Sequence, residues 1–306
     1  MQTSAGSSPV PGTYPVTFHP HKMNQKNILD NAYSQSIIFT KSHYENFPVV
    51  SLFIPKEFRK HIAVVYQFAR QADDLADEGN LDKQIRLKNL EEFETKLTQC
   101  LSGKFEGEFW VALYNTIQSK NLTSQHFYDL LSAFKQDVVK KRYETYDELL
   151  DYCKRSANPV GRIILELFGI IDQKAFQYSD SVCTALQITN FLQDVSVDLL
   201  KDRIYIPKVE WQKFDVDEKV FEFKKNNTNF KSLIKIQVEK TRAFFSEGWK
   251  LIPFLDKRIK KQIIMTILGG EKILSKIEKN GYNVLDNRPT LSKIDYMKIF
   301  LKAYNG

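Results

Sequence analysis

The sequence predicts an all-α protein, folded as one helical bundle with a central cavity. Glycine and proline contribute only 12 and 10 of the 306 residues, and 42% of the chain is hydrophobic. Few helix breakers, with abundant Leu, Ile, Phe, Lys and Glu, favour long helices over many short strands. No composition shift marks a linker, so we expect a single domain over residues 26–306, preceded by a disordered lead-in over residues 1–25.

Hydrophobic residues recur every three or four positions in most of the segments that follow, which places them on one helical face. Thr145, with Glu148 three residues later, is typical of a capping box that opens a helix. Ser179 or Asp180 is expected to cap the amino terminus of a later helix that runs to about residue 200. Only residues 203–206 look extended, and Pro207 ends them. The predicted helices cover residues 57–76, 82–101, 124–141, 149–155, 180–200, 229–250 and 257–279, the last of which ends near Gly281.

The net charge of +7 fits ordinary surface lysines, an anionic small substrate or an anionic membrane surface. No zinc-finger spacing, ribonucleoprotein motif or basic arm is present, so we expect no nucleic-acid partner. Cys100, Cys153 and Cys183 are too scattered for a disulfide framework, which predicts a reducing compartment. Without a signal peptide or a long apolar run, we expect a cytoplasmic protein; peripheral contact with the inner face of the cytoplasmic membrane stays open.

An aspartate-rich motif ends the first predicted helix. Asp73 and Asp77 are four residues apart, so on a helix they lie on one face, one turn apart. Tyr66 and Arg70 continue this polar stripe toward the amino terminus, whereas the other faces are apolar. A polar stripe on an otherwise apolar helix indicates a polar cavity rather than open solvent.

A second motif repeats this design with Asp194 and Asp198, and its stripe extends back through Gln187 and Asn190. A single pair of carboxylates at this spacing is common on solvent-exposed helices. Two such pairs on helices that are otherwise apolar are hard to explain as ordinary surface residues. Neither motif has the loop spacing of an EF-hand. Carboxylates at this spacing repel each other, and Mg²⁺ bound between them offsets the repulsion.

Two or three Mg²⁺ ions held between the two motifs would bind a diphosphate and stabilise its departure. Arg70 would add a charge-assisted hydrogen bond to the leaving group. The predicted metal ligands are Asp73, Asp77, Asn190, Asp194 and Asp198.

Four stretches together resemble the squalene and phytoene synthase family. Residues 66–78 read YQFARQADDLADE and are similar to the first aspartate-rich region of that family, and residues 190–207 are similar to the second. Residues 142–153 resemble its central stretch, and residues 277–288 resemble its carboxy-terminal signature. The resemblance covers most of the chain. It implies an isoprenoid synthase fold and a Mg²⁺-dependent reaction of farnesyl diphosphate or presqualene diphosphate.

A closer resemblance is to one branch, the bacterial hydroxysqualene synthases of hopanoid biosynthesis. Residues 43–51 (HYENFPVVS) and 156–162 (SANPVGR) are similar to the entry and central motifs of that branch. This implies a lyase reaction in which presqualene diphosphate loses diphosphate and water captures the cation, giving hydroxysqualene without NADPH. It also implies that Tyr152 lies near the reacting carbons. With the polar stripes, it predicts substrate contacts by Tyr66, Arg70, Gln187, Asn190, Gln193, Arg203, Tyr205, His43 and Phe47.

Two positions depart from the wider family. Many relatives carry Arg where this chain has Gln193, and we expect the neutral side chain to suit a site that handles one diphosphate rather than two. Pro159 replaces a small-residue break, and either kinks the chain for packing or lines the cavity beside Tyr152. On the preceding helix, Asp137 is expected to hold Arg142.

Two alternatives stay open. One is a head-to-head prenyl transferase that joins two farnesyl diphosphates into presqualene diphosphate, squalene or dehydrosqualene. The other, from a different class, is a catalytically silent assembly factor on the same fold. The four motif aspartates disfavour the second alternative, since a scaffold has no need for them.

Overall fold

The computed structural model describes residues 22–42, 54–79 and 81–305. Within these residues the chain forms α-helices, and its β pairing is an isolated bridge between Arg142 and Ile204. The α-helices are α1 (Lys22–Ser42), α2 (Lys56–Asp77), α3 (Lys83–Leu101), α4 (Glu108–Lys120), α5 (Gln125–Val139), α6 (Tyr146–Ser156), α7 (Asn158–Leu167), α8 (Gln173–Gln193), α9 (Val195–Asp198), α10 (Lys208–Gln212), α11 (Glu218–Glu222), α12 (Thr228–Gly248), α13 (Lys257–Lys279) and α14 (Lys293–Asn305). The predicted all-α class is confirmed.

Helix α8 lies at the centre of the carboxy-terminal half, where it packs against α7, α12 and α13. Gly161 allows α7 to approach α8 closely, because a Cβ at this position would lie 2.4 Å from the Oγ of Ser179. In the amino-terminal half, α2 packs against α1, α3, α4 and α5. Phe68 of α2 lies fully buried between Phe93 and Phe127, with ring centroids 5.3 and 5.1 Å away. Packing of this kind fixes the two helices that carry the aspartate motifs.

Most of the helices predicted from periodicity are confirmed to within a few residues by α2, α3, α5, α6, α12 and α13. Thr145 accepts a hydrogen bond from the N–H of Glu148 at 3.2 Å, as the capping box predicts. The Glu148 carboxylate accepts from the N–H of Glu144 at 2.8 Å, one residue upstream of the predicted partner. Gly281 adopts a φ of +61° just after α13, which suits a residue without a Cβ.

Helix α8 corresponds to the helix predicted over residues 180–200, and both predicted ends are wrong. The cap is Asp172, whose side chain accepts from the N–H of Ala175 at 2.9 Å, while Ser179 lies buried inside the helix against α7. The helix ends at Gln193 instead of continuing to residue 200, because Asp194 leaves helical geometry with φ −102° and ψ 12°. Asp198 N–H still donates to the carbonyl of Asp194 at 2.8 Å, so the two aspartates remain one turn apart.

Six helices of the described chain were not predicted: α1, α4, α7, α10, α11 and α14. Helix α1 begins at Lys22, and residues 1–21 of the expected lead-in over residues 1–25 lie outside the described residues. The buried positions of α1 include Ala32, Tyr33 and Ser36, which are small or polar and give a weak hydrophobic signal.

Pro159 is buried in the first turn of α7 and therefore separates α6 from α7. Its neighbour Asn158 accepts a hydrogen bond from the hydroxyl of Thr184 at 3.0 Å. These contacts agree with a packing role for the Asn158–Pro159 pair. No helix in the described part of the chain is both long and apolar enough to cross a membrane.

A buried polar network joins α1, α2 and α4. His61 Nδ1 lies 3.0 Å from the Thr116 hydroxyl and 3.3 Å from the Tyr33 hydroxyl. Burial, reinforced by the charges of Lys120 and Lys60, lowers the pKa of His61 to about 4. The neutral imidazole is therefore the form that the fold accommodates.

This pKa shift predicts a pH-dependent contribution to stability. Between pH 6.5 and 4 the unfolded chain binds a proton at His61 that the folded chain does not, so stability is lost as the pH falls. His61→Asn removes this dependence. The gap in unfolding free energy between wild type and variant should narrow by roughly 2 kcal/mol from pH 7 to 4.5, measured by urea unfolding. Ser36→Ala, a buried change without a titrating group, should show a constant gap; equal behaviour of the two variants contradicts the assignment.

Candidate active site

The first aspartate motif occupies the last turns of α2. Asp73 and Asp77 are half-buried, as are Tyr66 and Arg70 on the same stripe. Arg70 Nη1 lies 3.3 Å from Asp73 Oδ2, and its Nη2 lies 2.6 Å from Glu78 Oε1. Arg70, predicted to contact a diphosphate, is thus held by carboxylates of its own segment.

Asp77 connects the first motif to the chain that follows the second. Arg203 donates from Nη1 to Asp77 Oδ2 at 2.9 Å and from Nη2 to Oδ1 at 2.5 Å. Lys201 Nζ donates to the same Oδ2 at 2.8 Å. Because Lys201 and Arg203 lie only three and five residues after Asp198, these bonds bring both motifs to one end of the bundle.

Hydrogen bonds connect the second motif to the segment before α14. Arg288 donates through Nε and Nη2 to the two carboxylate oxygens of Asp194. Gln193 is buried, and its Nε2 donates to the carbonyl of Pro289 at 2.5 Å. The described contacts of Gln193 therefore tether the chain instead of presenting the amide to a ligand. Asn190 is exposed one turn earlier, and Gln187 is half-buried.

The pKa values of the aspartates show the electrostatic cost of this arrangement. Burial, followed by repulsion from Asp194, raises the pKa of Asp198 to about 7. Burial and then the charge of Asp77 raise the pKa of Asp73. Burial also acts to raise the pKa of Asp77, but the hydrogen bonds from Arg203 and Lys201 outweigh it and hold that pKa well below its usual range. Added positive charge would favour the ionised forms of Asp73 and Asp198.

The carboxylates are arranged as pairs. Among residues 22–42, 54–79 and 81–305, no three Asp, Glu, His or Cys side chains converge into a group that could hold a metal ion by themselves. Mg²⁺ commonly takes only one or two protein carboxylates and completes its shell with water and substrate phosphates. The oxygen-rich pairs at Asp73–Asp77 and Asp194–Asp198, with two pKa values raised by burial and like charge, fit that type of site.

Four aromatic rings pack next to the ion pairs. Phe191 and Tyr205 stack with ring centroids 3.8 Å apart, and Tyr152 lies 6.0 and 5.9 Å from these two rings. Tyr143 stacks on Tyr205 at 5.7 Å. A hydrocarbon chain near the carboxylates would meet this apolar and aromatic surface.

Asp137 is a residue whose place in the site sequence reasoning missed. The Tyr152 hydroxyl donates to Asp137 Oδ2 at 2.6 Å, and Arg203 Nη2 donates to the Asp137 carbonyl at 3.1 Å. Burial raises the pKa of Asp137 to about 6. The expected pairing of Asp137 with Arg142 is wrong, because Arg142 binds Asp202 and Glu218 instead. The available signal was a carboxylate on the otherwise apolar stripe of α5.

A cavity of about 720 Å³ adjoins α2 on the side away from the two aspartates, and Gln71, Leu75, Phe93 and Trp110 are among its lining residues. Between the two motifs, the described side chains pack as ion pairs and aromatic rings. The central cavity therefore stays a prediction. His43 and Phe47, predicted to contact substrate, lie outside the described residues.

The described chain is an all-α bundle with two aspartate pairs at one end, beside aromatic rings. The sequence profile of squalene/phytoene synthase matches residues 40–295. The chain belongs to the squalene/phytoene synthase family, whose members include enzymes that join prenyl diphosphates head to head.

Curated relatives include hydroxysqualene synthases. The one from Zymomonas mobilis is 41% identical over 64% of this chain and 65% of its own length, and the one from Sinorhizobium fredii is 31% identical over 76% and 80%. The matched region thus spans just under two thirds of the Zymomonas protein. Among solved structures, squalene synthase HpnC from Alicyclobacillus acidocaldarius aligns with a TM-score of 0.80 at 37% identity, covering 83% of this chain and 96% of that one.

Arg203 is expected to be the main stabilising cation of the site. Arg203→Met leaves the Asp77 carboxylate partly buried without its two hydrogen bonds from the guanidinium, and should lower the free energy of unfolding by roughly 3 kcal/mol at pH 7. Lys201→Met is the matched control, because Lys201 bonds the same carboxylate from a side chain that is 52% exposed. Its loss should cost less than about 1 kcal/mol. Urea unfolding of both variants measures the difference, and equal losses would contradict this ranking.

Proposed function

We propose that the protein converts presqualene diphosphate and water into hydroxysqualene and diphosphate. The observation that carries the proposal is the cross-motif ion pairing, in which Arg203 and Lys201 hold Asp77 beside the second aspartate pair and the aromatic rings. This arrangement offers charge for a diphosphate and an apolar surface for its hydrocarbon in one place. The identities to hydroxysqualene synthases support water capture as the outcome.

In this reaction the bond between the substrate carbon and the diphosphate oxygen breaks, and its electron pair leaves with the diphosphate. The cyclopropylcarbinyl cation then rearranges, and one ring C–C bond breaks as the acyclic carbon skeleton of squalene forms. A water oxygen bonds to the resulting carbocation and loses one proton. No hydride is transferred, so the proposed reaction needs no NADPH. The aromatic rings of Phe191, Tyr205 and Tyr152 keep bulk water away from the cation and leave a single water to react.

Asp73, Asp77, Asn190, Asp194 and Asp198 are the residues that would hold Mg²⁺. The bound ions would neutralise the diphosphate and stabilise it as a leaving group. Arg203, Lys201 and Arg288 contribute positive charge from the protein itself, and each now bonds a motif aspartate. Carboxylates already paired with cations stay ionised and positioned before substrate arrives.

The proton released on water capture is assigned to Asp137. Its Oδ2 accepts the Tyr152 hydroxyl, and its Oδ1 is buried with no hydrogen bond from any residue that the structure describes. A carboxyl with a pKa of about 6 is ionised at pH 7 and basic enough to accept a proton. Tyr152 is the positioning residue, since burial raises its pKa well above 10 and leaves it a poor base.

A head-to-head prenyl transferase is the second candidate. It is favoured by the likeness to the squalene synthase from Alicyclobacillus acidocaldarius, and by a 28% identity over 90% of this chain to a phytoene synthase from Narcissus pseudonarcissus. The same ion pairs and aromatic rings would serve two farnesyl diphosphates. A catalytically silent assembly factor is disfavoured, because nothing in such a role requires two partly buried aspartate pairs.

The deciding assay supplies presqualene diphosphate and Mg²⁺ in heavy-oxygen water, with and without farnesyl diphosphate, and identifies products by mass spectrometry. The proposal expects a C30 alcohol carrying the heavy oxygen, formed without farnesyl diphosphate. Presqualene diphosphate or a C30 hydrocarbon made from farnesyl diphosphate, with no labelled alcohol made from presqualene diphosphate, would instead identify the transferase.

Asp73→Asn and Asp194→Asn should each lower turnover of presqualene diphosphate by on the order of a hundredfold or more, because each removes charge from one motif. Circular dichroism should match wild type. The matched control is Asp151→Asn, which removes a carboxylate that is 62% exposed and pairs with Arg155 on the surface. Near-normal turnover in either motif variant would contradict the assignment.

Asp137→Asn tests the proton acceptor separately from ionisation. Loss of the base should reduce the alcohol's share of the products relative to hydrocarbons formed by proton loss, and lower its rate of formation by about a hundredfold. Tyr152→Phe removes the hydrogen bond but leaves the carboxylate, so alcohol should remain its main product. An unchanged product ratio and rate in Asp137→Asn would show that another group takes the proton.

A further inference from the structure

Helix α14 contacts the rest of the protein through one narrow stripe. Ile299 and Ala303 pack with Ile264, Met265 and Leu268 of α13 in a small hydrophobic cluster. Asp295, one turn earlier, is also buried. Positions four apart lie on one face, so roughly two thirds of the surface of α14 points away from the protein.

The outward face of α14 is apolar. Ile294, Met297, Leu301 and Tyr304 are each more than half exposed. Their spacing of three, four and three residues places them in one line, which we call the α14 stripe. Of the seventeen large hydrophobic residues exposed in the described chain, six lie on this helix, so they form a patch and are not scattered singly.

Lysines border the α14 stripe. Lys298 and Lys302 are exposed along one side of it, and Lys293 lies at its start. Lys261 of α13 places its Nζ 3.9 Å from the ring centroid of Tyr304. The one acidic residue of α14, Asp295, faces inward and bonds Lys276 at 2.7 Å. The exposed surface of α14 therefore presents apolar and cationic groups together.

We propose that the α14 stripe binds the surface of a lipid bilayer that carries anionic headgroups. A helix lying in a membrane interface buries its apolar face at the acyl boundary while flanking lysines contact the headgroups. A second copy of the chain fits this surface less well. If two copies paired through this helix, the positive charges of Lys298 and Lys302 in one copy would face the same two lysines of the other. No exposed acidic residue on α14 would offset their repulsion. This inference does not depend on the reaction catalysed.

The test measures cosedimentation of the full chain with vesicles of phosphatidylcholine, alone or mixed with phosphatidylglycerol. Wild type should bind the mixed vesicles, and rising salt should weaken that binding. Met297→Ser combined with Leu301→Ser should abolish binding. Lys298→Glu combined with Lys302→Glu should weaken it by about fivefold for each lysine removed, or more because the charge is reversed.

Matched controls lie just before and at the start of α8, outside α14. Ile171→Ser changes a hydrophobic residue that is 75% exposed at a different place, and Lys174→Glu reverses an exposed charge there. Both should bind vesicles as wild type does, and all variants should keep wild-type circular dichroism, since the altered side chains are exposed.

Three results would overturn the proposal. Wild type could fail to bind mixed vesicles, or the Met297–Leu301 variant could bind them as well as wild type. Light scattering could also show that this variant converts a dimer into a monomer while lipid binding is unchanged, which would make the stripe a contact between copies.

Discussion

The bidentate bond between Arg203 and Asp77 is the interaction on which the site depends. It joins the end of α2 to the chain that follows α9, two segments that meet at one end of the bundle. Arg203 also donates to the Asp137 carbonyl, which places the Tyr152–Asp137 pair next to the aspartates. One guanidinium thus joins the first motif and Asp137 to the chain that follows the second motif, a geometry that a flexible lysine would not supply.

The ionised forms of the four motif aspartates are stabilised to different degrees by the protein. Asp77 and Asp194 hold cations of the protein, while burial and like charge leave Asp73 and Asp198 with raised pKa values. The first two keep the site folded before substrate arrives. The second two would gain most from a divalent cation, since the cation would offset repulsion that the protein leaves in place. Under the proposed function, structural stability and substrate binding would therefore be divided between the members of each pair.

Sequence periodicity predicted the helices with strongly apolar stripes and the two aspartate motifs, because both signals are local. It missed α1, whose buried stripe contains Ala32, Tyr33 and Ser36, and it placed the start of α8 at Ser179 because capping residues also occur inside helices. Contacts between distant segments left no local signal. Neither the bond from Tyr152 to Asp137 nor that from Arg288 to Asp194 could be read from spacing, since each requires the fold.

The most direct test of the account is binding of Mn²⁺, as a substitute for Mg²⁺, followed by electron paramagnetic resonance with and without inorganic diphosphate. If the two aspartate pairs and a diphosphate jointly hold the cations, wild type should bind Mn²⁺ far more tightly once diphosphate is added. The Asp73→Asn/Asp198→Asn double variant should lose that enhancement while staying folded. Equal enhancement in the double variant, or none in wild type, would contradict the central claim.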